Sequence, residues 1–229
     1  MARSFTLLQL RTKVRERADI VASQYITDTE LSGYISASYT RLYDIIVKSG
    51  LHYYDKTQTI TTTGGGTTDY TLPSDFYGTV GVDYQLDSQR WVEVPELMVH
   101  NRNAFLSSGS RALAYRVVAG NISLYPAPPS GQTYRHIYIP YATNLSADGD
   151  TVDGVDGWEE YIVIDAAIKC LTKEESDTSH LERERALLRD DIEQAAQNRA
   201  WANPRVVTDV GGSWDDREIT GDPANWRVR

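Results

Sequence analysis

Residues able to do chemistry are scattered thinly through this 229-residue chain, and the densest group of them is acidic. Asp148, Asp150, Asp156 and Glu159 fall at positions one, three, nine and twelve of the count used by a helix–loop–helix calcium site. The count fails at its centre. Val152 stands at position five, where an oxygen ligand belongs, and Asp153 at position six, where the loop needs glycine. The expectation is an ordinary acidic turn with Asp156 capping the helix that follows, with no metal and no cofactor. His52, His100, His136 and His180 lack metal-ligand spacing, and neither a His-Glu-x-x-His nor a Gly-x-Ser-x-Gly run is present. Gly64, Gly65 and Gly66 are not followed by the Lys-Ser/Thr of a phosphate loop. Cys170, the single cysteine, has no partner within the chain and sits beside an apolar helical stripe, so it reads as a small core residue. Asp190 and Asp191 lie on a charged helix face, where solvated carboxylates are expected and not an acid/base pair. No catalytic constellation emerges, and the chain is read as a non-enzyme.

Composition narrows the class further. Hydrophobic content of 41% and charged content of 24% are those of an ordinary globular protein. No apolar run approaches the roughly 20 residues that a membrane helix needs, and the N-terminal residues lack a signal-peptide apolar core, so synthesis and retention in a cytoplasm are expected. The net charge of -9 is unevenly spread: residues 1–50 carry +2, 51–146 carry -1, 147–202 carry -9 and 203–229 carry -1. An acidic surface cannot bind nucleic acid by displacing its counterions, which argues against a DNA- or RNA-binding module, although such a surface can lie beside DNA and repel it.

The elements that position these residues follow from periodicity and punctuation. Thr6 and Gln9 have the spacing of a reciprocal N-terminal cap, and Leu7, Leu8, Leu10, Val14, Ala18 and Val21 predict a helix over 6–22. Thr27 and Glu30 form a second such box, followed by Leu31, Tyr34, Ile35, Leu42, Ile45 and Ile46 at helical spacing as far as Gly50. Residues 157–175 place Tyr161, Ile164, Ile168 and Leu171 on one apolar stripe. Ser179 and Glu182 predict a helix restart, with Leu181, Leu188, Ile192 and Ala195 on one face up to about residue 202. Between these helical regions come short runs rich in Thr, Val, Tyr and Ile. TQTITTT and TDYTL flank Gly64–Gly66 as a predicted hairpin, and TVGVDYQ, RWVEV, AYRVV, ISLYP and YRHIYIPY follow as strands. Residues 95–106 are expected to interrupt them as a short helix. The fold class is therefore α+β: an antiparallel helical bundle built from both ends of the chain (1–56 and 146–202), a small sandwich- or barrel-like β insertion (57–145), and an extended C-terminal tail (203–229). A tyrosine-rich β segment also fits an alternative class, a soluble carbohydrate- or surface-binding module.

Several stretches resemble the head-to-tail adaptor proteins of tailed bacteriophages. They are Thr27-Asp-Thr-Glu-Leu-Ser-Gly-Tyr-Ile35, Tyr70-Thr-Leu-Pro-Ser-Asp-Phe76, Leu124-Tyr-Pro-Ala-Pro-Pro-Ser-Gly131, and the run from Gly157 to Lys169 followed by Lys173-Glu-Glu-Ser. Their order and spacing carry the resemblance over most of residues 4–202. It implies a helical bundle with a β insertion, assembled as a twelvefold ring beneath the portal protein, with a tail or neck protein on the far side and no catalysis. It places the protein in the virion neck, after synthesis in the host bacterial cytoplasm. On this reading Asp190, Asp191 and Glu193 face the DNA passage. By position relative to such adaptors, the tail is the portal-binding element, with Trp214, Ile219 and Trp226 as anchors beside Arg227 and Arg229.

Overall fold

Helix start signals are the part of the sequence that local chemistry decides most directly, and three of them show how neighbours modify the outcome. In the computed structural model, which describes residues 5–20, 25–49, 53–98, 111–112, 114–152 and 157–197, α1 spans Leu7–Arg17. Its Thr6–Gln9 box is complete: the Gln9 amide donates to Thr6 Oγ1 and the Thr6 amide to Gln9 Oε1. The helix is shorter than the 6–22 expected. Asp19 takes a left-handed conformation (φ 54°) and the Ile20 amide bonds back to the Arg15 carbonyl at 2.9 Å, which closes the helix without glycine. Helix α2 spans Asp28–Lys48, capped by Thr27, whose side chain accepts from the Glu30 amide. Here only half of the box forms, because both Glu30 carboxylate oxygens take Lys173 Nζ at 2.7 Å from a distant helix. Helix α4, Ser179–Gln197, starts from Thr178 and not from a Ser179 box. The Thr178 carbonyl accepts from the Glu182 amide, and Asp177 accepts from the Ser179 amide at 3.0 Å.

Helix α3, Glu159–Lys173, is buried on nearly every side from Tyr161 to Cys170 and packs against α1, α2 and α4. A helix apolar all round belongs inside a core, and each fully buried Ile of this kind contributes roughly 1.5–3 kcal/mol. Its neighbours supply one stripe each: Leu7, Leu10 and Val14 from α1, and Leu31, Ile35, Tyr39, Leu42 and Ile46 from α2. From α4 come Leu181, Ile192 and Ala196. The expected Ala195 is exposed, and the stripe closes on Ala196 one residue later. All of these except Ala196 join one hydrophobic cluster, which also takes in Leu145 and Val152.

The β-rich region comprises β1 Lys56–Thr61, β2 Asp69–Thr71, β3 Phe76–Gln85, β4 Trp91–Val94, β5 Ala114–Val118, β6 Asn121–Tyr125 and β7 Thr133–Pro140. They form two antiparallel sheets, one ordered β1-β7-β3-β4 and the other β2-β6-β5. Ile60, Val82 and Tyr134 from the first meet Tyr115, Ile122 and Leu124 from the second in a separate cluster. Alternation along β7 is as expected, with Tyr134, His136, Tyr138 and Pro140 buried. Two expectations fail. The glycine run does not close a β1/β2 hairpin: β1 pairs with β7 and β2 with β6, so Gly64–Gly66 carry the chain from one sheet to the other. Gly64 sits at φ +72° with the Ser130 amide 2.8 Å from where a Cβ would stand, so the crossing needs glycine for close approach. Residues 95–98 are extended and not helical: the Leu97 amide donates to the Tyr115 carbonyl and the Tyr115 amide to the Pro95 carbonyl. Residues 99–106 of that expected helix lie outside the described residues, as does Asp156 as a cap.

The two regions are joined where Tyr43 of α2 donates its hydroxyl to the Pro140 carbonyl at 2.6 Å and stacks on Tyr54 with ring centroids 4.2 Å apart.

Candidate functional site

One charge stands in the middle of the most apolar helix. Asp165 of α3 is fully buried, yet it is surrounded by donors from three helices. Ser38 of α2 donates to Oδ2 at 2.8 Å, Lys169 one turn along α3 reaches Oδ2 at 2.9 Å, and Arg185 of α4 donates to Oδ1 at 2.8 Å. Arg41 stands 3.7 Å from Oδ1. Burial alone would push this carboxyl up; the hydrogen bonds from Lys169, Ser38 and Arg185 outweigh it and hold the group below the ordinary carboxylate range. Asp165 thus stays ionised and ties α2, α3 and α4 together. It is the residue that reading by stripes missed. The signal was present as a lone carboxylate inside Tyr161–Ile168 with lysine four residues on.

The outer side of α4 is built differently. Asp190 and Asp191 are exposed and point away from the stripe formed by Leu181, Ile192 and Ala196. Glu193 is half-buried and accepts from Arg189 Nε at 2.8 Å, so its charge is offset within its own helix. Beside it, Arg41, Asp44, Lys48, Arg189 and Glu193 line an open cleft of about 510 Å³ where α2 ends. The three carboxylates predicted to act together are therefore two exposed ones with no ion pair among the described residues and one in an ion pair. The basic residues of α1 are also engaged: Arg11 binds Asp148 at 2.7 Å, Arg15 binds Asp28 at 2.9 Å, and Arg17 binds Glu184. Trp214, Ile219, Trp226, Arg227 and Arg229 lie outside the described residues.

The remaining chemical candidates have structural partners. Asp148 is held by Arg11, and Asp150 accepts from the Ser146 and Ala147 amides at 2.7 and 2.8 Å, which folds the acidic turn around its own backbone. No group of three His, Cys, Asp or Glu side chains with the geometry to hold a metal ion occurs among the described residues. Cys170 is fully buried, and burial pushes its thiol up to about 11, far from a reactive thiolate at neutral pH. His136 is enclosed in the β cluster, where Gln58 Oε1 lies 3.2 Å from Nδ1 and Thr79 Oγ1 lies 3.2 Å from Nε2. Because the Gln58 oxygen only accepts, Nδ1 carries the proton, and burial lowers the pKa to about 4. What remains among the described residues is a charged helix with exposed carboxylates, set on a buried ionic tie.

A family model described as SU10 adaptor protein matches residues 5–208. The chain belongs to the SU10 adaptor protein family. This is a family of phage head-to-tail adaptors, so the role of the protein is that of a phage adaptor. No curated protein matches the chain. All of the described residues between Phe5 and Gln197 fall inside the matched range, so the SU10 adaptor assignment covers both the helical core and the β sheets.

Proposed function

We propose that this SU10 adaptor is the subunit of a twelvefold ring that docks beneath the portal protein of the phage head and joins it to the tail, in the neck of the virion. The observation that carries the reading is the family match over residues 5–208. The packing of α1 and α2 on α3 and α4 in one cluster supports a bundle built from both ends of the chain, residues 1–56 and 146–202. The β sheets form the insertion at 57–145, and residues 203–229 form an extended tail. The ring is a structural part of the particle and performs no catalysis. It is made in the host cytoplasm and carried in the virion.

Within that ring, Asp190 and Asp191 face the channel and keep it repulsive to the phosphate backbone of passing DNA, so the genome slides without sticking. Glu193, paired with Arg189, contributes less than the other two. The tail reaches the portal and seats Trp214, Ile219 and Trp226 in apolar pockets, with Arg227 and Arg229 adding charge-assisted contacts. Truncating the chain after Asn203 tests the tail: heads carrying portal should fail to recruit the shortened adaptor, and normal recruitment would remove the tail from the mechanism. Replacing Asp190 and Asp191 with asparagine tests the lining: particles should assemble but eject DNA slowly, while unaltered ejection at low salt would place these carboxylates elsewhere.

A further inference from the structure

Among the described residues, the sheet β1-β7-β3-β4 has two open edges, and they match each other. Strand β1 pairs only with β7. Thr62, which continues it, donates its amide to the Gln132 carbonyl, so by alternation Lys56, Gln58 and Ile60 turn their backbone groups toward β7. Thr57, Thr59 and Thr61 then turn three amides and three carbonyls outward, and no described residue meets them. At the other edge, Leu86 donates its amide to the Arg90 carbonyl, so Arg90, Val92 and Val94 face β3 while Trp91 and Glu93 present theirs outward. The second sheet is protected: β2 has three residues, and β5 is covered by the chain at Pro95–Leu97. Strand β1 has none of the usual edge defences. It is six residues long, contains no proline, and its one charge, Lys56, is held by Asp75 at 2.8 Å.

From these two edges we infer that subunits in the ring are joined by β1 of one copy adding to β4 of the next, through the outward backbone groups of Thr57, Thr59 and Thr61 against those of Trp91 and Glu93. The inference rests on the ring reading above. Two independent checks favour a second copy as the occupant. The first is direction: every neighbouring pair in this sheet is antiparallel, so with four strands β1 and β4 run oppositely, and cyclic repetition sets β4 antiparallel to the next β1. A head-to-tail contact of this type closes into a ring when the rotation between successive copies divides a full turn. The second is side-chain facing. Thr59 lies opposite Arg135, Arg135 opposite Asp83 and Asp83 opposite Glu93, so these side chains share one face. Arg135 confirms it by binding Asp83 at 2.6 Å and lying over Trp91 at 4.5 Å. The added strand therefore keeps outward side chains outward, where a slip of one residue would invert them. Val92 is 37% exposed on the inner face, beside a cleft of about 170 Å³ lined by Tyr84, Val94 and Ala112, which an added strand would cover.

The test uses the full chain assembled with its portal protein. Glu93→Cys is combined in turn with Thr57→Cys, Thr59→Cys and Thr61→Cys, then oxidised; the buried Cys170 stays silent. At least one pair should give a ladder of covalent multimers on a denaturing gel, while each single substitution and Gln58→Cys with Glu93→Cys remain monomeric. In parallel, Thr59→Pro removes an outward amide but leaves the ladder to β7, so the monomer should keep its melting temperature and lose ring assembly. Rings visible by electron microscopy with no ladder from any pair would overturn the edge contact while leaving the ring intact. Crosslinking to the portal in place of a second copy would also overturn it. Absence of rings under every condition would instead overturn the ring reading itself.

Discussion

Among the described residues, the helical core and the β core each bury one acidic or basic side chain completely, and they deal with it in opposite ways. Asp165 keeps its charge because Lys169, Arg185 and Ser38 bring donors from their own elements to meet it. His136 gives its charge up: Gln58 and Thr79 offer hydrogen bonds but no countercharge, and burial holds the ring neutral. Long cationic side chains on neighbouring helices can reach inward from solvent with their stems along apolar surface, as Lys169 and Arg185 do. Between two closely packed sheets there is no such route, and a neutral group with matched partners is the cheaper solution. The helical tie is thus an assembly of three helices that depends on ionisation, and the β tie is one that depends on its absence.

The largest effect should come from removing the ionic centre. Asp165→Ala leaves Lys169 and Arg185 facing each other at the rim of the core and should cost about 3 kcal/mol in denaturant unfolding; both cations are partly solvated, which keeps the loss at the low end for a broken buried pair. A loss under about 1 kcal/mol would show that packing alone holds α4. Acid should separate the two centres next. The folded pKa of His136, about 4, lies below its unfolded value of about 6.5, so its share of stability is complete above 6.5 and is lost as pH falls toward 4. That loss is at most about 3 kcal/mol, and His136→Gln should flatten the urea-midpoint profile in that window. The carboxyl of Asp165 is also lowered, so its share is retained through the same window and disappears only below the ordinary carboxylate range near pH 4. Tyr43→Phe, which strips the Pro140 carbonyl of its donor between the two regions, should cost about 1–2 kcal/mol in thermal or denaturant unfolding. The smallest effect belongs to Asp190→Asn with Asp191→Asn. These exposed residues touch neither centre, and stability should stay within about 0.5 kcal/mol of the parent.

Much of the helical region was legible residue by residue. The Thr6–Gln9 cap, the apolar spacing of α2 and the saturation of α3 with Ile, Val and Ala depend on neighbours three or four residues away, and local physics decides them. Three of the misses share one cause. The Glu30 carboxylate leaves its cap for Lys173, Gly64–Gly66 cross between sheets instead of closing a hairpin, and residues 95–98 join β5 instead of a helix. In each case a partner distant in sequence competes with the local one and wins. The exposed carboxylates on α4 were legible as a charged face, whereas the pairing of Glu193 with Arg189 needed side-chain geometry.

By itself, then, the amino-acid order determined where most helices and strands run, which stripe of each is apolar, and the SU10 adaptor family to which the chain belongs. The tertiary structure alone decided which strands are neighbours, that β1 and β4 are matching open edges among the described residues, and that Asp165 is the charge at the centre of three helices. The physical reason is range. Propensity, capping and periodicity act within about one turn or two residues, while strand partners and buried ion pairs are chosen by groups far apart in sequence, 52 residues for Arg135 and Asp83 and 127 for Ser38 and Asp165.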